Sequence, residues 1–407
     1  MKKICFFMET PFTHGGEQRV VSILSNLLIK KGYDVSIMCT NMEVIRDNSL
    51  YNLDEKVKIC YLDGYNNKWF LKIRKKRDKL NVINLTTGKY KNSLFMQKFI
   101  NCDLLTLFLL KRKINKEKFD VVISLGMYNK ILVRVSHLVK AKIIGWQHSS
   151  SERYFNLKNE WFYNQDKFTR YMLKKFDEYI VLTNEDKKYI KDKFNEDVIV
   201  INNPKSIKSD KVTDLNNKYF LAVGRFVPIK NFLGLIDIFK EYHKINKEWK
   251  LRIVGDGYLK DAYIEKIKEY KLSKYIEIID YTTEISKYYL DSSIYLMSSL
   301  QEGWGMVMSE AIEFGLPIIS YDITSAKEMI VDNYNGFIVE KYDSNEYLNK
   351  MLELSQNSEK LKKFSDNSRK LSINKDDRYI LEKWDEVLGD INYKKEIKNA
   401  LESQVQL

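Results

Sequence analysis

The sequence predicts an α/β protein of two doubly wound parallel-sheet domains facing a cleft. Three observations carry this. Short apolar runs alternate with stretches whose apolar residues recur at helical spacing. The alternation happens twice, once in each half of a 407-residue chain. Between the halves, "KSIKSDKVTDLNNK" (205–218) is polar and has no apolar period, as a linker would be. At about 150 residues per domain the length suits two to three domains.

The first half opens with "KKICFFM", an apolar run read as a strand, and the turn-rich loop "ETPFTHGG" follows. "EQRVVSILSNLLIKK" has apolar residues at 20, 21, 24, 27 and 28, the spacing of a helix face. Gly32 suits the position just past its end. "YDVSIMCT" then reads as a second strand, completing a βαβ unit. Further strands are expected at "FDVVISLG", "AKIIGWQ", "EYIVLT" and "DVIVINNP", with a helical stretch from about Tyr128 and a helix capped by Asn184. The second half repeats the pattern through "YFLAVG", "WKLRIVG", "YIEIID", "SIYLMS" and "PIISY", with helices between them. Expected boundaries are 1–203 for the first domain and 204–375 for the second, with a helix over 376–395 returning to the first.

Composition bounds the function. The formal net charge is +13, concentrated between Tyr65 and Asp120, where 15 Lys or Arg face 4 Asp or Glu. Such a region either attracts an anionic surface or is a solvated helix face. Tyr65, Trp69 and Phe70 nearby suit an amphipathic surface helix, and equally a core. A nucleic-acid partner is not expected, because no RNA- or DNA-binding motif accompanies the charge. Cys5, Cys39, Cys60 and Cys102 show no metal-ligand spacing and read as free thiols of a reducing compartment. The N-terminal apolar run is short for a signal peptide, and no window reaches the length of a membrane span. The expected location is cytoplasmic, peripheral on the inner face of the plasma membrane if the basic region binds lipid.

In open parallel sheets ligands bind beyond the carboxyl ends of the strands. The most informative such segment is "SSLQEGWGMVMSEAIEFGLPIIS", Ser298 to Ser320. Gly303 and Gly305 let a ligand approach the backbone, and a helix from about Met306 would point free N–H groups at an anion. Gly305 and Glu310 are about 7.5 Å apart along such a helix. Either Glu302 and Glu310 flank a bound diphosphate, one meeting a sugar and one a ribose, or Glu310 and Glu313 are ordinary surface residues and the glycines mark a tight turn. In "AVGRFVPIKN", Arg225 and Lys230 follow a strand and either neutralise a diphosphate or form a solvated pair. Gly15 and Gly16 precede a helix start, and His148 follows a strand. No phosphate-loop lysine motif and no G-x-G-x-x-G after a strand occur, which argues against ordinary ATPases and nicotinamide enzymes.

These pieces together, "GGEQRVVSILSNLLIKKGYDVSIMCT", "WQHSS", "INNP", "AVGRFVPIKNF", "LRIVGDG", the long Glu302–Glu310 motif and "DNYNGFIV", resemble the family-4 retaining glycosyltransferases of the GT-B fold, which has two Rossmann-like domains. The resemblance implies transfer of a hexose or N-acetylhexosamine from a nucleotide sugar, a UDP-sugar being expected, to a glycan or lipid-linked glycan. The bacterial members it is most similar to build capsule, exopolysaccharide or lipopolysaccharide. It also implies a front-face mechanism with no metal, no other cofactor and no protein nucleophile. By residue, it assigns the ribose to Glu310, the donor sugar to Glu302, the diphosphate to Arg225 and Lys230, and the reaction centre to His148. Gly15, Gly16 and the backbone at Gly305, Met306 and Val307 would complete the donor site. The sequence departs from the family at Gln18, where Glu is usual, and at Asp280, where Gly is common. A non-catalytic scaffold subunit of a glycosyltransferase complex is the alternative, against which the intact site residues speak.

Overall fold

The computed structural model describes residues 1–44, 46–158, 160–374 and 376–389. The chain divides into two compact units: residues 1–204 together with the chain from Asp377 onward, and Lys205–Asp376.

The first unit is built on a seven-stranded parallel sheet: β1 (Lys3–Met8), β2 (Asp34–Cys39), β3 (Lys58–Tyr61), β4 (Val121–Leu125), β5 (Lys142–Trp146), β6 (Glu178–Val181) and β7 (Ile199–Val200). Their spatial order is β3-β2-β1-β4-β5-β6-β7. β1, β2 and β4 are buried almost throughout, as expected where helices cover both faces of a parallel sheet. The helix Asp377–Leu388 belongs to this unit, and residues 390–395 lie outside the described part. Trp384 meets Trp146 edge-on, with ring centroids 4.8 Å apart. Asp385 accepts from Tyr33 at 3.0 Å and forms an ion pair with Lys31. Lys142 donates to the Val387 carbonyl at 2.7 Å, covering one of the helix's last free acceptors.

The second unit has a six-stranded parallel sheet: β8 (Tyr219–Val223), β9 (Lys250–Gly255), β10 (Ile276–Asp280), β11 (Ile294–Met297), β12 (Ile318–Tyr321) and β13 (Gly336–Val339), in the order β10-β9-β8-β11-β12-β13. Each sheet therefore reverses its winding once, between β1 and β4 and between β8 and β11. At such switch points the loops diverge and leave a crevice.

Several features depart from or refine the sequence-based reading. Thr183, not Asn184, caps the helix Asn184–Phe194, its Oγ1 accepting from the Asp186 N–H at 3.0 Å. β3 and β13 are short edge strands that the alternation did not mark. The helical stretch expected from about Tyr128 is present in pieces, the α-helical Asn129–Leu132 flanked by 3₁₀ turns at Gly126–Tyr128 and Val133–Val135. The segment 205–218 lacks regular structure but is strapped to the helix Met306–Glu313. Lys205 pairs with Glu313 at 2.8 Å, the Ser209 N–H donates to the same carboxylate at 2.9 Å, and Arg369 bridges it at 3.2 Å. Burial pushes the Glu313 carboxyl up; hydrogen bonds from Lys205, Ser372 and the Ser209 N–H, with the Lys205 charge, more than offset this and hold it below the ordinary carboxylate range.

A carboxyl depressed on folding stabilises above its unfolded pKa, and that contribution is lost as pH falls through the folded value. Glu313→Gln should therefore cost roughly 3 kcal/mol at neutral pH. The gap to wild type should narrow as the pH falls below the ordinary carboxylate range, as urea unfolding at pH 7 and at a series of acid pH values will show.

Candidate donor site at the switch point of the second sheet

β8 and β11 are neighbours in register, Ile294 opposite Phe220, so the loops beyond them leave the sheet side by side. Two backbone-directed bonds stitch those loops together. Ser298 Oγ donates to the Lys230 carbonyl at 2.8 Å, and the Leu300 N–H donates to the Ile229 carbonyl at 2.9 Å. Lys230 and Glu302, both chosen from the sequence, meet as an ion pair with each side chain 14% exposed. The Lys230 chain lies over Gly224, where an added Cβ would come 3.4 Å from Lys230 Cδ.

Arg225 is exposed, and its guanidinium has no partner among the described residues. Its loop is shaped by "GDG" (255–257). A Cβ on Gly255 would stand 1.8 Å from the Gly224 carbonyl oxygen, so only glycine permits this approach. The Phe226 N–H donates to the Asp256 carbonyl at 2.6 Å and the Gly224 N–H to Val254 at 3.0 Å. The Gly-Asp-Gly turn thus has a site-shaping role that the motif alone did not reveal.

Gly305 begins the helix Met306–Glu313 in the left-handed region, φ +69°, where a side chain would be strained. The N–H groups of Met306 and Val307 fall in the first turn, where helices have no internal acceptors. Glu310 lies one turn inside and is 2% exposed; Glu313 is 4% exposed. The surface-residue reading of both is corrected: each carboxylate is buried and hydrogen-bonded. Glu310 accepts from Ser206 Oγ at 2.5 Å and from Tyr289 Oη at 2.8 Å. Tyr289 is itself fixed by stacking on Phe314, centroids 5.2 Å apart. Ser206, Tyr289 and Ser298 were missed in the sequence, since an isolated hydroxyl carries no pattern. Asp280 ends β10 and pairs with Lys260.

The other sequence-chosen residues belong to the first unit. Gly15 precedes the helix Gly16–Lys30 beyond β1, and its N–H donates to Tyr51 Oη at 2.9 Å. Gln18 folds back, its Oε1 occupying the space a Gly15 Cβ would need. Glu17, which sequence reasoning passed over, stands against Gly126 beyond β4. Burial, then the negative charge of Glu9, push its carboxyl up to about 7. His148 follows β5 with its ring 4.2 Å from that of Trp146, and its Nε2 is buried without a hydrogen-bond partner among the described residues. Burial brings its pKa down to about 3, so it is neutral at physiological pH.

The descriptive model of the family "Glycosyl transferases group 1" matches residues 204–371, which contain Arg225, Lys230, Glu302 and Glu310. The chain is 30% identical over 401 residues to the amylovoran biosynthesis glycosyltransferase AmsD of Erwinia amylovora, covering 96% of this chain and all of that one. Among solved structures it is similar to S. aureus TarM, with TM-score 0.73, 17% identity and coverage of 96% and 100%. It is also similar to the pneumococcal O-GlcNAc transferase GtfA, with TM-score 0.70, 15% identity and coverage of 95% and 98%.

Two pH predictions follow from the first unit. Glu17 is raised on folding, so its cost is absent below about pH 4.5 and complete above about pH 7; Glu17→Gln should stabilise by on the order of 2 kcal/mol at pH 8 and be neutral near pH 4. Melting curves at the two pH values check this. His148 should contribute no ionisation to turnover between pH 5 and 8. A limb in the wild-type rate profile that His148→Gln abolishes would contradict that assignment.

Full-length similarity to AmsD, the match over 204–371 and the two Rossmann-like sheets lead to one conclusion: the chain belongs to the group 1 glycosyltransferases and is a glycosyltransferase of the GT-B fold.

Proposed function

We propose that the protein transfers a hexose or N-acetylhexosamine from a UDP-sugar to a glycan or lipid-linked glycan acceptor, with retention of configuration, in bacterial surface polysaccharide synthesis. One observation carries the reading. The switch point of the second sheet brings Arg225, unpartnered among the described residues, the Lys230–Glu302 pair and a helix start at Met306 onto adjoining loops, with Glu310 buried one turn further in. That order of groups fits the order of parts in a nucleotide sugar. The named relatives support it: AmsD by amylovoran biosynthesis, TarM by its complex with UDP and alpha-GlcNAc-glycerol, GtfA by its complex with UDP and GlcNAc.

In this reading Glu310 accepts hydrogen bonds from the ribose hydroxyls. Arg225, Lys230 and the Met306 and Val307 N–H groups hold the diphosphate, and Glu302 meets a donor-sugar hydroxyl. His148, neutral and with Nε2 unpartnered among the described residues, hydrogen-bonds at the reaction centre. The loop at Gly15 and Gly16 meets the donor, Gly16 offering its backbone N–H while that of Gly15 is held by Tyr51. The acceptor hydroxyl attacks the anomeric carbon on the face from which UDP departs. The carbon–oxygen bond to the β-phosphate breaks, the new glycosidic bond forms, and the acceptor proton passes to a phosphate oxygen of the leaving UDP. Negative charge builds on that diphosphate, and the two cations with the helix start stabilise it, so we assign no metal to the reaction. The enzyme would work on the inner face of the plasma membrane, where lipid-linked acceptors are extended.

Incubating the purified protein with a panel of UDP-sugars, and measuring released UDP with and without glycan acceptors, tests the proposal; release from none would contradict it. Arg225→Ala should lower kcat by roughly 10²–10³-fold with little change in KM, because its partner charge is greatest in the transition state.

A further inference from the structure

The basic region is three consecutive helices, Lys68–Thr87, Leu94–Asn101 and Leu104–Glu117. Of the aromatics the sequence singled out there, Tyr65 is half-buried beneath Arg74, whose guanidinium lies 3.5 Å from the ring centre, and it packs on the core. The side chains of Trp69 and Phe70 lie outside the described part. On the first helix Val82, Ile83 and Leu71 are exposed; on the second and third the exposed apolar groups are Phe95 at 79%, Leu104 at 74%, Phe108 at 56% and Phe99 at 42%.

They are not scattered. Phe95 and Phe99 are four apart on one helix, and Leu104 and Phe108 are four apart on the next, so each pair shares a face. Only Cys102 and Asp103 separate the helices. Asp103 caps the second, accepting from the Thr106 N–H at 2.8 Å, and its other oxygen pairs with the buried Arg77 at 3.0 Å. The junction is therefore pinned to the first helix, and the exposed side chains stand on a fixed scaffold. The stripe Leu104–Phe108 continues, at helical spacing, into exposed Lys111, Arg112 and Lys116, none of which has an ion-pair partner among the described residues. From Leu94 to Lys118 there are only two acids. Asp103 is consumed by Arg77, and Glu117 by Lys113 at 3.2 Å.

We infer that Phe95, Phe99, Leu104 and Phe108 are a shallow membrane-inserting wedge, and that Lys111, Arg112 and Lys116 dock it on anionic phospholipid. Aromatic side chains enter the headgroup boundary while cations beside them meet the lipid charge. A second copy of the chain is a poor occupant, because pairing this face with itself opposes like charges. No described helix is long and apolar enough to cross a bilayer, so the wedge supplies attachment without a span. The inference deepens the membrane-facing part of the proposed function, and it stands on exposure and charge rather than on donor chemistry.

Flotation of the full chain with phosphatidylcholine vesicles, with and without phosphatidylglycerol, tests it. Wild type should float with the anionic vesicles only, and added salt should release it. Phe95→Ser with Phe108→Ser, and separately Lys111→Glu with Arg112→Glu, should each weaken binding roughly tenfold or more. UDP release should persist in these variants, so failure of the wedge and failure of the donor site are distinguishable. Equal flotation of all variants, or none by wild type, would overturn the inference. So would a wild-type dimer that the serine variant dissociates, since the face would then belong to a second copy.

Discussion

The ion pair between Lys230 and Glu302 is the contact on which the candidate donor site depends. Both groups are largely withdrawn from water. Removing either leaves a buried charge uncompensated, which is far costlier than losing a surface pair. The pair ties the loop beyond β8 to the loop beyond β11, with the Ser298 and Leu300 bonds beside it. That tie holds Lys230 against the loop that leads into the helix at Met306. Arg225, on the same loop as Lys230, is exposed and has no partner among the described residues, which in the proposed reading leaves its charge for the diphosphate as negative charge builds there.

Behind this edge the helix Met306–Glu313 is held from two sides by its own carboxylates. Glu313 gathers Lys205, Ser209, Arg369 and Ser372 and ties the helix to the chain entering the unit. Glu310 faces two hydroxyls, from Ser206 and Tyr289. The two acids are three apart on one helix yet face different partners: Glu313 meets the cations Lys205 and Arg369, Glu310 the hydroxyls of Ser206 and Tyr289.

Much of this was legible beforehand because it rests on local pattern. The strands beside the switch points are apolar runs, and the residues after them, Arg225, Lys230, Glu302 and Gly305, follow from where those runs stop. What escaped depends on tertiary placement. Ser206 sits in a segment with no period and matters only because the chain folds back over the helix. Tyr289 looks like any aromatic of a short helix. Gly255 needed the Gly224 carbonyl in view before its lack of a side chain had a reason. Glu17 and Gln18 show the same limit, since sequence comparison pointed to position 18 while the fold sets Glu17 against Gly126. On the basic helices, charge was readable and exposure was not, so attention fell on Tyr65 instead of Phe95 and Phe108.

The central claim is that one edge of the second unit binds a nucleoside diphosphate, with ribose on Glu310 and phosphates on Arg225. Calorimetric titration of UDP and of uridine into wild type, Glu310→Gln and Arg225→Ala tests it most directly. The account predicts that Glu310→Gln weakens both ligands roughly tenfold or more, the worth of hydrogen bonds to a charged acceptor, while Arg225→Ala weakens UDP and leaves uridine unchanged. UDP binding unaltered in both variants would contradict it.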